Sequence, residues 1–131
     1  MMTAQTKTAA LKIALLAFGV IFLLIYPIGI FWPAGWVWHG GDGSYYLQMI
    51  WVIYGILGIY LILAARDPSQ HRSLINFTAV SSAGHAGVMA MQAMGDEHEM
   101  GHMIGDIPAL FLVAIVLGYL NWEKPAAAAA A

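Results

Sequence analysis

Between Ala9 and Phe31 the chain runs for 23 residues with a single charge, Lys12, near its start. As a helix rising 1.5 Å per residue, that stretch reaches about 34 Å, enough to cross a hydrocarbon core of roughly 30 Å with some tilt. No other feature narrows the choice of fold as far. A secretory signal is the rival reading, because Lys7 and Lys12 stand at the head of the run. Signal cores are usually about 7–15 residues long, so the run is read as a retained first helix.

The rest of the chain keeps the same balance. Apolar residues make up 61% of it and charged residues 9%, far from the soluble averages of about half and about one quarter. Three further spans are expected over residues 45–65, 73–94 and 104–120, after a first span over 9–31. Pro33 and the glycines of residues 32–44 break the chain after the first span, Pro68 after the second, and Gly95 and Gly101 between the third and fourth. Trp32, Trp36 and Trp38, with Tyr45 and Tyr46, read as an aromatic belt at the membrane boundary. The expected fold is therefore all-α: a transmembrane four-helix antiparallel bundle, one membrane domain over residues 1–131, with a disordered tail over 125–131.

Four crossings place both termini and the 66–72 connection on one side. All five basic residues (Lys7, Lys12, Arg66, Arg72 and Lys124) fall there, while Asp42, Asp96, Glu97, Glu99 and Asp106 fall on the other. Basic residues mark the cytoplasmic side of a membrane, so the termini are expected to be cytoplasmic. A net charge of −2 argues against nucleic acid as a partner, which needs clustered cations. The chain has no cysteine, which excludes disulfides, thiolate metal sites and cysteine catalysis.

Within the third span Thr78, Ser82, His85, Met89 and Gln92 recur at spacings of four and three, which stacks them on one helix face. Phe77, Val80 and Val88 lie opposite. Ser81, Gly84 and Gly87 are small enough for close helix packing, as are Gly55 and Gly58 in the second span. A histidine inside a span needs an inward-facing partner. His85 reads either as an axial ligand to haem or chlorophyll or as a neutral ring bonded to Ser81, Ser82 or a facing tyrosine.

The connection 95–103 carries His98-Glu99-Met100-Gly101-His102, which matches the zinc-protease pattern HExxH. The glycines and the shortness of the connection make that match read as incidental, so no catalytic residue is assigned. His98, His102 and Asp106 also form a ladder at i, i+4 and i+8 that suits zinc or copper. Met94, Met100 and Met103 could add thioethers for copper(I), or serve as gap-fillers. Asp106 could instead cap the fourth helix.

The run from Arg72 to Leu120, with RSLINFTAVSSAGHAGVMAMQ followed by GHMIGDIPALFLVAIVLGYL, resembles small uncharacterised four-helix bacterial inner-membrane proteins. That resemblance implies a place in a bacterial inner (cytoplasmic) membrane. It points to Asn76, His85, His102, Gly105, Asp106 and Pro108 as the positions to watch, and it brings no activity with it. The expected role is a non-catalytic accessory or packing subunit of a larger membrane complex, with lipid and other membrane proteins as partners. The alternative is a membrane protein that binds copper, zinc or haem through His85 and the His98, His102 and Asp106 cluster.

Overall fold

Each of the four apolar runs is helical in the computed structural model, which describes residues 2–32 and 45–122. Helix α1 spans Ala4–Leu23, its first turn closed by Thr3, whose hydroxyl accepts from the Thr6 amide at 3.2 Å. The expected first span does not continue unbroken: α1 ends at Leu23, and a short α2, Ile25–Phe31, follows. Pro27 supplies the reason. It has no amide hydrogen to offer the Leu23 carbonyl, and its ring crowds that carbonyl.

Helix α3 is Tyr45–Ala64, close to the expected 45–65. A 3-10 turn, Pro68–His71, leads into α4, Arg72–Gly95. The stretch expected as a loop over 95–103 is instead a 3-10 helix, Glu97–Ile104, and α5 is Asp106–Asn121. These last two meet at Gly105 with a bend of 42°. Among the described residues there is no strand. The expected belt residues Trp36 and Trp38, and the tail 125–131, lie outside the described residues.

The long helices pack as antiparallel neighbours. Along α1 and α2, Gly19, Phe22 and Tyr26 meet Ile62, Tyr54 and Trp51 in turn, so one chain direction rises as the other falls. The start of α4 lies at the end of α5, where Arg72 donates to the Asn121 carbonyl at 2.5 Å. One large residue from each long helix (Leu15, Leu61, Ile75 and Leu117) is fully buried in a shared core. A second cluster, Ala86, Met89, Ala93, Ile107 and Leu110, joins α4 to α5 near the other end.

Gly19 and Gly58 explain how closely α1 and α3 approach. A Cβ on Gly58 would stand 2.6 Å from the Gly19 carbonyl oxygen, and one on Gly19 would stand 2.8 Å from that of Gly58. Only hydrogen fits at either position. Gly55, Gly84 and Gly87, expected to pack in the same way, have open space where a Cβ would go.

The outer surface is apolar as well as the core, unlike that of a water-soluble domain. Ile13, Ile53, Phe77, Val80 and Ile115 are among many large apolar side chains that face outward, whereas Thr78, Ser82, Asp106 and Asn121 are buried. By length and composition α1 is apolar enough to cross a membrane, and the bent pair Glu97–Ile104 and Asp106–Asn121 passes the same test when taken together.

Candidate functional site

The seam expected on α4 forms over most of its length. Thr78, Ser82 and Met89 are buried, His85 is half-buried, and Phe77 and Val80 on the opposite side are 64% and 73% exposed. Gln92, the last residue of the seam, is exposed. The Thr78 hydroxyl donates back to the Leu74 carbonyl at 2.9 Å, which satisfies it within its own helix.

His85 finds a tyrosine from the facing helix. Its Nδ1 lies 2.7 Å from the Tyr54 hydroxyl, and Tyr54 is held in turn by the edge of Phe22, with ring centroids 5.0 Å apart. The histidine's other nitrogen, Nε2, has no hydrogen-bond partner among the described residues.

Around the bend at Gly105, His102 sits between two carboxylates. Its Nδ1 lies 2.7 and 2.8 Å from the two oxygens of Asp106, and its Nε2 lies 3.1 Å from Glu99 Oε2. Asp106 is thus the first residue of α5 and also a partner of the residue four places before it.

The His98, His102 and Asp106 ladder divides. His98 turns out to Asp96, whose carboxylate accepts from the His98 amide at 2.9 Å and lies 3.1 Å from His98 Nδ1. The ladder assumed α-helical spacing. In a 3-10 helix, residues three apart align, so Glu99 comes to face His102 while His98, four residues back, points away. The same geometry separates the two histidines of the HExxH match. Among the described residues, no three His, Cys, Asp or Glu side chains converge in a group that could hold a metal ion.

What the helices do enclose is a cavity of ≈ 300 Å³ between α1, α3, α4 and α5. Tyr54, His85, His102 and Asp106 supply its main polar groups, with Gln92 beside them. Phe18, Phe22, Trp51, Met89, Leu110 and Val113 supply much of the apolar wall. A mostly apolar cleft with a few convergent polar groups is the usual form of a small-molecule site, and the volume stands at the lower end of the range for such sites, about 300–1,000 Å³.

The opposite end carries a second polar cluster that the sequence reading did not assemble. Asn121 donates from its amide to the Arg72 carbonyl at 3.2 Å and to Asn76 Oδ1 at 2.7 Å. Arg72 and Lys7 donate to the Asn121 and Trp122 carbonyls, placing two cations at the C-terminal end of α5, where the helix dipole favours them. The available signal was an amide residue at the very end of the last apolar run. Asn76 stands out in the sequence only through the resemblance.

No curated protein and no solved structure matches the chain. A family of unknown function (DUF6632) matches residues 5–127, and the chain, with its polar cavity and its cation-capped opposite end, belongs to that family.

Proposed function

We propose that the chain is a small polytopic membrane protein whose four long helices form a transmembrane antiparallel bundle, and that it serves as a non-catalytic accessory subunit of a larger membrane assembly. The apolar exterior carries this reading: large apolar side chains cover the outside of helices whose apolar core also holds Thr78, Ser82, Asp106 and Asn121. In water that arrangement would expose a large apolar surface, and in lipid it costs nothing. Lys7 and Arg72 gather at one end, and Asp96, Glu97, Glu99 and Asp106 at the other. This supports cytoplasmic termini, and the resemblance to small inner-membrane proteins supports a bacterial inner membrane as the setting.

Two features favour a binding and packing role over chemistry. His85 and His102 are each already held by neighbouring side chains. On α4, Gly84 and Gly87 lie beside exposed Val80, Val88 and Met91, a small-residue face that a neighbouring membrane helix would cover. Blue-native electrophoresis of the protein solubilised from its own membranes should show a large assembly, and Gly84→Leu should break it. Migration only as a free monomer or homodimer overturns the reading.

A second reading, a haem- or metal-binding protein, draws on the unpartnered Nε2 of His85 beside the cavity. Among the described residues the second histidine at the cavity is His102, and both nitrogens of that ring face carboxylates. Titration of the purified protein with zinc, copper and haem decides between the two readings. Saturable binding abolished by His85→Ala would favour the second.

A further inference from the structure

We propose that the cavity between α1, α3, α4 and α5 binds a neutral, lipid-soluble ring compound carrying a carbonyl or hydroxyl oxygen. The inference rests on the membrane reading above and goes beyond it by assigning an occupant to the cavity.

Four observations select that chemistry. First, the ligand is neutral, because neither Lys nor Arg is among the described residues that line the cavity. The one carboxylate among those described residues, Asp106, is already paired with His102. An ion buried there would lack an opposite charge. Second, the ligand carries an oxygen, because His85 lines the cavity and its Nε2 has no hydrogen-bond partner among the described residues. Depending on which ring nitrogen bears the hydrogen, Nε2 donates to a carbonyl or accepts from a hydroxyl.

Third, the ligand is a flat ring. Phe22, Trp51 and Tyr54 present aromatic surface on the cavity wall, and rings pack against such walls by edge or offset face. The volume of ≈ 300 Å³ suits a ring-sized head and leaves no room for a long chain as well. Fourth, any tail leaves toward lipid. Ile21, Ile50 and Leu112 belong both to the cavity lining and to the exposed apolar surface. The opening they make faces the acyl chains in the proposed bundle, so ring and tail enter from the bilayer.

The test is native mass spectrometry of the full chain in detergent, titrated with decylubiquinone as the ring-bearing probe and with dodecanol as a tail of similar length without a ring. The expected result is a saturable one-to-one adduct with decylubiquinone and none with dodecanol. Ala109→Phe, which places bulk against the cavity from an exposed position, should abolish the adduct. His85→Leu, which keeps the volume but removes the polar partner, should weaken it about tenfold. Ile115→Phe, on the outer surface, should leave it unchanged.

Equal adducts with dodecanol, no adduct with decylubiquinone, or an adduct unaffected by both Ala109→Phe and His85→Leu in variants that keep the native helical spectrum would overturn the assignment. Alkaline carbonate extraction separates the two readings. A chain that stays in the membrane pellet but forms no ring adduct defeats the ligand proposal alone, and a chain that carbonate releases defeats the membrane reading beneath it.

Discussion

Two pairs of glycines in this molecule look alike in sequence and behave differently in the fold. Gly19 and Gly58 face one another across α1 and α3, each closing on the other's carbonyl oxygen. Gly84 and Gly87 sit on α4 with nothing among the described residues within 4 Å of where a Cβ would stand. A small residue in a span therefore permits close approach without ensuring it, and the register of the two helices decides. At α1 and α3 the approach is completed within the chain. On α4 the inward face is closed by side-chain contacts to α3 and α5, through His85–Tyr54 and Asn121–Asn76, while the glycine face stays open.

The difference can be broken first at the closed pair. Gly58→Leu sets a side chain against backbone and should destabilise the fold by about 3 kcal/mol or more, read as a fall in melting temperature in detergent. A near-neutral result would mean that α1 and α3 do not approach as described. Next comes the fastening of α5 to the 3-10 helix. Asp106→Ala leaves His102 with Glu99 alone at the cavity, and should cost about 1–3 kcal/mol in the same measurement.

The open face should respond in the opposite direction. Gly84→Ala, in a helix interior with room for a methyl group, should leave stability unchanged or raise it by up to about 1 kcal/mol. If it destabilised the isolated protein as Gly58→Leu does, the contrast between the two pairs would fail.

The smallest effect belongs to the turn before α4. Asp67 accepts from the Ser69 hydroxyl at 2.5 Å and the Gln70 amide at 2.8 Å, and these bonds hold its carboxyl below the ordinary value of 3.8. The folded form has the lower value, so this contribution to stability is present above about pH 4 and is lost as pH falls through the depressed value. Melting scans from pH 5 down to pH 2 should show a slightly shallower acid decline for Asp67→Asn than for the wild type. The group is exposed, so the difference should be small.

Helix positions were largely legible because apolar runs and their breakers are local signals. The boundaries of α3, α4 and α5 lie within two residues of those expected. The break at Leu24 was also written in the sequence, since Pro27 acts on the carbonyl four residues before it. The face carrying Thr78, Ser82 and Met89 followed from helical periodicity.

What the sequence did not reveal depends on geometry set elsewhere. Reading 97–104 as a 3-10 helix changes which residues face His102, and the one glycine in that stretch, Gly101, does not announce the change. The choice of Tyr54 for His85, 31 positions away, needs the α3–α4 register, and the meeting of Asn76 with Asn121 needs that of α4 and α5. The cavity is legible only once four helices are placed together.

Site-directed spin labelling tests the central claim most directly, and a chain without cysteine makes single-cysteine labels straightforward. Labels at Val80 and Ile115 in the membrane-reconstituted protein should collide freely with dissolved oxygen and be shielded from a water-soluble nickel chelate. Strong relaxation by the chelate at both positions would place these surfaces in water and contradict an apolar exterior embedded in lipid.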